Sequence, residues 1–118
     1  MANPYSVPEI SVQEVAERRA AGEDFILLDV REPMELNWAN LGDSVEHVPM
    51  SRLASQREEA LPESMMDKEQ EIVVMCHHGN RSAQVAAWLR GQGWTNVWNM
   101  TGGIDAYARE VDPDVGLY

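Results

Sequence analysis

Two short runs constrain this chain more than anything else in it. Residues 25–30, FILLDV, and residues 71–75, EIVVM, are apolar at nearly every position rather than at alternate ones. A strand with one wet face alternates. A continuous run of five or six β-formers suits a strand covered on both faces. Covering both faces requires helices in the connections, and the rest of the chain supplies them. SVQEVAERRAAG (11–22) has Ser11 and Glu14 in capping-box register, with Val12, Val15, Ala16 and Arg19 at helical spacing and Gly22 placed to stop it. REPMELNWAN (31–40) opens a short helix with Pro33 in its first turn. VEHVP (45–49) reads as a short strand, and SRLASQREEAL (51–61) as a helix capped by Ser51. PESMMDKEQ (62–70) is a polar connection. SAQVAAWLRGQGW (82–94) is a helix ending near Gly91 or Gly93, and NVWNM (96–100) is a last short strand. TGGIDAYAREV (101–111) is a turn and a short helix, and DPDVGLY (112–118) is irregular. This alternation predicts an α/β fold: a small, mainly parallel sheet flanked by helices on both faces, in one domain over 1–118.

In such sheets ligands bind beyond the carboxyl ends of the strands. The one cysteine of the chain, Cys76, stands there, directly after EIVVM and before the helical run that follows. A lone cysteine cannot form an internal disulfide or a Cys-rich zinc site. The three histidines, His47, His77 and His78, do not have metal-site spacing, so no metal and no cofactor are expected. The formal net charge of −11 argues against nucleic acid or an anionic membrane as a partner. MANPYSVPEI lacks the basic and apolar regions of a secretory signal, which makes the cytoplasm the expected compartment.

The stretch CHHGNRS, residues 76–82, is suited to holding negative charge. Gly79 lets the chain turn, successive backbone N–H groups can curl around the sulfur, and the helix that Ser82 opens adds the positive end of its dipole. These effects favour a thiolate, or a negative atom attached to the sulfur.

With this loop, LLDVREPMEL and MTGGIDAY in order, the chain resembles the rhodanese-like (single-domain sulfurtransferase) family from about Ile10 to Tyr107. CHHGNRS matches that family's Cys-x-x-Gly-x-x-Ser/Thr loop. The resemblance implies a sulfur relay. The Cys76 thiolate takes a sulfane sulfur from a small anionic donor such as thiosulfate. The resulting persulfide passes it to cyanide, a thiol or a protein cysteine. On this reading His77, His78, Gly79, Asn80, Arg81 and Ser82 form the substrate-binding loop. Arg81 is expected to hold the donor's sulfonate, the alternative being a structural ion pair with an acidic neighbour, and His77 and His78 to aid donor binding or tune the thiolate. Asp29 and Arg31 are expected to brace the loop from behind, and Glu32 to cap its short helix. Trp94, Trp98 and Tyr107 are read as packing. Where many relatives carry a Gly-His-Ile-x-Gly-Ala segment, this chain has NLGDSVEHVP (40–49), with Leu41 at the histidine position. Two other functions compete: a persulfide carrier or docking module for a protein partner, and a Cys-dependent phosphatase or arsenate reductase. The latter enzymes use Cys-x5-Arg to cradle a tetrahedral oxyanion; this loop is Cys-x4-Arg, one residue tighter.

Overall fold

The computed structural model describes residues 3–118. Its strands are β1 (Glu9–Ile10), β2 (Ile26–Asp29), β3 (Glu46–His47), β4 (Ile72–Met75) and β5 (Val97–Met100). Its α-helices are α1 (Val12–Ala20), α2 (Met50–Gln56), α3 (Asn80–Gly91) and α4 (Gly103–Glu110). The strands form one sheet in the order β1-β5-β4-β2-β3, and every neighbouring pair is parallel. The α/β fold read from the two apolar runs is the fold observed. Those runs, β2 and β4, lie side by side in the middle of the sheet, with Ile26 opposite Ile72 and Asp29 opposite Met75.

The two faces bury different halves of each strand. Leu28, Val30, Ile72 and Val74 pack with Leu53 of α2 and with Ala83, Val85, Ala86 and Leu89 of α3. Leu27, Val73 and Met75 pack with Val12 and Val15 of α1 and with Ile104 and Tyr107 of α4. The period of two continues past the end of β4, so Cys76 turns to the same face as Ile72 and Val74, toward α3. That alternation sets the direction of the sulfur.

Several local expectations change. The short strand β1 pairs with β5 through only two residues, too few to leave a pattern in the sequence. Residues 33–37 form a 3-10 turn rather than an α-helix. Ser11 caps α1 as its pattern implied, its Oγ accepting from Glu14 N at 3.1 Å. Ser51 does not cap α2, which begins one residue earlier at Met50. Met50 N donates to Val30 O at 2.9 Å, and this tie to the end of β2 sets the start of α2. Ser51 instead donates from Oγ to Glu32 Oε1 at 2.6 Å, joining the 33–37 turn to α2. Glu32 stands at the N-cap of its turn in a capping-box arrangement with Glu35, whose carboxylate accepts from Glu32 N at 2.8 Å, and the Glu32 carboxylate also accepts from Ser51. Trp94 and Tyr107 are buried, as their reading as packing requires, and Trp98 is half-buried against the α1/α4 side.

Candidate active site

The loop after β4 closes on the Cys76 sulfur. Gly79 N donates to Sγ at 3.1 Å, and Ser82 N at 3.4 Å. The thiol and the Ser82 hydroxyl lie 3.3 Å apart. Two features of the chain make this turn possible. Gly79 has φ +100°, a conformation that side chains rarely adopt, and it serves as the N-cap of α3. The first turn of a helix leaves its N–H groups without intrahelical partners, and Ser82 N finds the sulfur instead. The other wall is the 101–103 turn. Ile104 N donates to Cys76 O at 2.9 Å and Asp105 N to His77 O at 3.0 Å, so α4 is bolted to the loop backbone. A Cβ on Gly103 would lie 2.4 Å from His77 O and 2.5 Å from Cys76 O, which is why this position has no side chain.

Behind the sulfur runs a buried polar chain that the sequence did not point to. The Ser82 hydroxyl donates to Asn99 Oδ1. The Asn99 amide donates in turn to Gly79 O at 3.1 Å and to Glu9 Oε2 at 3.0 Å. Glu9 is further held by the Thr101 hydroxyl at 2.8 Å. Asn99 is 2% exposed on β5 and touches both the turning glycine and the serine. One side chain thus fixes both donors that face Sγ. The signal for it was slight: a single Asn inside an otherwise apolar strand run.

The charged residues are engaged with one another. Arg81, expected to grip a sulfonate, makes a forked pair with Glu35: Nη1 to Oε2 at 2.7 Å and Nη2 to Oε1 at 2.8 Å. Its bidentate face is occupied, and the expected sulfonate contact is not the one this geometry offers. Glu35 also accepts from Glu32 N and from the Tyr118 hydroxyl, each at 2.8 Å. The Arg81 fork leads in holding the Glu35 carboxyl down at about 2, with burial opposing it. Arg31 is fully buried. It donates to Asp29 Oδ2 at 2.8 Å, to Ala39 O at 2.9 Å and to the Tyr118 hydroxyl at 3.1 Å. Asp29 and Arg31 therefore brace the 33–39 segment and the end of the chain, and reach the loop only through Tyr118 and Glu35. His47 Nε2 lies 2.7 Å from Arg31 O and steadies the same corner.

His77 and His78 stand at the outer side of the loop. Their ring centroids lie 3.8 Å apart with planes tilted by 30°, and the Tyr118 ring stacks on His77 at 3.7 Å with planes 6° apart. His77 Nε2 is buried without a hydrogen-bond partner, and burial, helped by His78, lowers its pKa. His77, His78 and Asp105 bring ligand-type atoms within 4.8 Å of one another. Asp105 is already engaged by Arg109, whose Nε donates to its Oδ2 at 3.0 Å. Asn80 is exposed at the start of α3. Sequence reasoning missed Asn99, Glu9, Glu35 and Tyr118. No helix among the described residues is long and apolar enough to cross a membrane.

Comparison with known proteins bears on the family and the fold. Residues 11–110 match the family model for the rhodanese-like domain. The chain is 34% identical over 109 residues to a sulfurtransferase of Allochromatium vinosum, covering 92% of this chain and 95% of that one. It is 39% identical over 92 residues to the chloroplastic rhodanese-like/PpiC domain-containing protein 12 of Arabidopsis thaliana, covering 78% of this chain but only 30% of that longer protein. Among solved structures, a rhodanese-related protein of Thermoplasma volcanium superposes with a TM-score of 0.71 at 29% identity, over 88% of this chain and 93% of that one.

Proposed function

The chain belongs to the rhodanese-like domain family, and from that premise we propose that it is a sulfurtransferase working through a persulfide on Cys76. The observation that carries the proposal is the convergence of Gly79 N and Ser82 N on one sulfur at the carboxyl end of a central strand. Donors fixed by the fold stabilise charge on sulfur without reorganising during the reaction. In the first half-reaction the Cys76 thiolate attacks the outer sulfur of a donor such as thiosulfate. An S–S bond forms to Sγ, the donor's own bond to that sulfur breaks, and sulfite leaves with the electron pair. In the second, an acceptor thiolate or cyanide takes the outer sulfur and the thiolate is restored. The N–H groups of Gly79 and Ser82 are placed to hold a negative sulfur in both resting forms, which suits ping-pong turnover.

The tight loop also favours this chemistry over phosphoryl transfer. Arg81, the only cationic side chain in the loop apart from the histidines, is committed to Glu35 and leaves a tetrahedral dianion without its usual counter-charge. The test is mass spectrometry of the protein before and after thiosulfate, free of reducing agent. The proposal expects Cys76 to gain one sulfur atom and to lose it to cyanide. A folded protein that acquires no adduct from thiosulfate or from any persulfide contradicts it.

A further inference from the structure

We propose that the preferred sulfur donor is a persulfide carried on an organic thiol, R–S–SH, whose R group bears no negative charge near the sulfur, rather than the thiosulfate dianion. This rests on the sulfurtransferase reading above and narrows its substrate.

The first ground is charge. Thiosulfate brings a sulfonate as well as the sulfur to be transferred. Of the nine Lys and Arg residues only Arg81 belongs to the loop, and both of its terminal nitrogens are bonded to Glu35. Arg31 is buried with Asp29, and Arg109 Nε pairs with Asp105 Oδ2 at 3.0 Å. His77 is disposed to stay neutral by its burial. The amides and the α3 dipole can support one negative sulfur. A second negative group beside Glu35 and Asp105, on a protein of formal charge −11, finds no free cation in the loop.

The second ground is the surface beside the loop. Trp38, Tyr118, His77 and His78 form a continuous aromatic run, with centroid separations of 5.4, 3.7 and 3.8 Å. Tyr118 touches both arms of the loop, stacking on His77 and bonding through its hydroxyl to the carboxylate that holds Arg81. Trp38 is 51% exposed, and its neighbours in sequence along these two segments, Met34 and Leu117, are exposed as well. Such a shelf offers dispersion and apolar burial to a carbon chain, and to a sulfonate only the ring nitrogens of His77 and His78.

The step balances without a further reagent. The Cys76 thiolate attacks the terminal sulfur of R–S–SH, and a bond forms between Sγ and that sulfur. The R–S to sulfur bond breaks, its electron pair goes to R–S, and the proton follows it. The products are the Cys76 persulfide anion and R–SH.

The experiment compares thiosulfate with 2-hydroxyethyl persulfide and benzyl persulfide, each rate divided by that of free cysteine with the same donor to remove intrinsic reactivity. The proposal expects the normalised kcat/KM of both persulfides to exceed that of thiosulfate at least tenfold, with benzyl persulfide having the lower KM. Raising ionic strength should speed transfer from the thiosulfate dianion by screening repulsion, and should speed transfer from the persulfides, which carry at most one charge, less. Glu35→Gln, which loosens the grip on Arg81, should lower KM for thiosulfate severalfold. Tyr118→Ala should raise KM for benzyl persulfide more than for thiosulfate. The salt series on the unaltered protein keeps the test decisive if either variant folds poorly. A persulfidated model protein, as a further arm, separates free from protein-borne persulfide; a normalised rate above that of thiosulfate from either source supports the donor class. Normalised thiosulfate transfer equal to or faster than that of all R–S–SH donors, or slowed by salt, overturns the inference while leaving sulfur transfer intact. Failure of every donor to load Cys76 defeats the sulfurtransferase reading itself.

Discussion

The polar groups around Cys76 fall into two sets that work in opposite ways. Those facing the sulfur as donors are uncharged: the backbone N–H groups of Gly79 and Ser82, backed by Asn99, which also takes the Ser82 hydroxyl proton. Those flanking the loop are charged: Arg81 with Glu35, and Arg31 with Asp29, tied together through Tyr118. The first set has donor capacity pointing at one atom. The second is closed on itself, every strong donor facing a strong acceptor. A net-neutral belt holds the loop's frame without adding a field of its own, and rigid dipoles are left to meet the negative sulfur. Charge near a nucleophile is therefore poor evidence of substrate contact until its partner is known.

If this division is right, damage to the two sets should differ in kind. Cys76→Ser should remove sulfur transfer altogether while leaving the fold intact, since a hydroxyl is not ionised near neutrality and is a weak nucleophile toward sulfane sulfur. Thiocyanate formation and a thermal melt measure the two effects separately. Asn99→Ala comes next. Losing its bonds to Ser82 and Gly79 leaves both Sγ donors unbraced, and should lower kcat/KM on the order of tenfold. A purely structural role would lower only the melting temperature. The rate of Cys76 alkylation by iodoacetamide at fixed pH should also fall, and rescue by Asn99→Asp should be incomplete because Asp lacks the amide donor to Gly79 O.

The belt should show itself in acid rather than in kinetics. Glu35 is held at about 2 against an ordinary 4.5. Between those values the unfolded chain binds a proton that the folded one does not. The stabilisation is complete above about pH 4.5 and is lost as the pH falls through about 2, an effect on the order of 2–3 kcal/mol. Urea denaturation at pH 7 and near pH 3 should show this decline, and Glu35→Gln should flatten it while lowering stability at pH 7.

The two sets also differ in how far they could be read from the sequence. The strands β2 and β4 and the 76–82 loop are local patterns: an unbroken apolar run buries both faces, and a glycine three residues after a cysteine permits the turn. The partners of those residues are not local. Glu35 and Arg81 are 46 positions apart, and Tyr118 and Glu35 are 83 apart. No spacing rule joins them, so the sequence cannot name an acidic partner for Arg81, and the tail reads as irregular. Asn99 lay in between: a polar residue in a buried strand demands a partner, but only the fold shows that Ser82 and Gly79 supply it. Ser51 was misread as a cap because the tie from Met50 N to the end of β2, not the serine, sets where α2 starts.

The central claim, that uncharged donors hold the sulfur and the charged belt holds the fold, meets its most direct test in Arg81→Ala. Breaking a partly exposed forked pair with Glu35 should cost about 2 kcal/mol, or roughly 10 °C in melting temperature. The measurement is steady-state kinetics with thiosulfate and with a persulfide, alongside a thermal melt of the same preparation. The account predicts a clearly lower melting temperature with KM for either donor within about threefold of the unaltered protein. An unchanged melting temperature with KM for thiosulfate raised tenfold or more would contradict it, and would return Arg81 to the role of a sulfonate ligand.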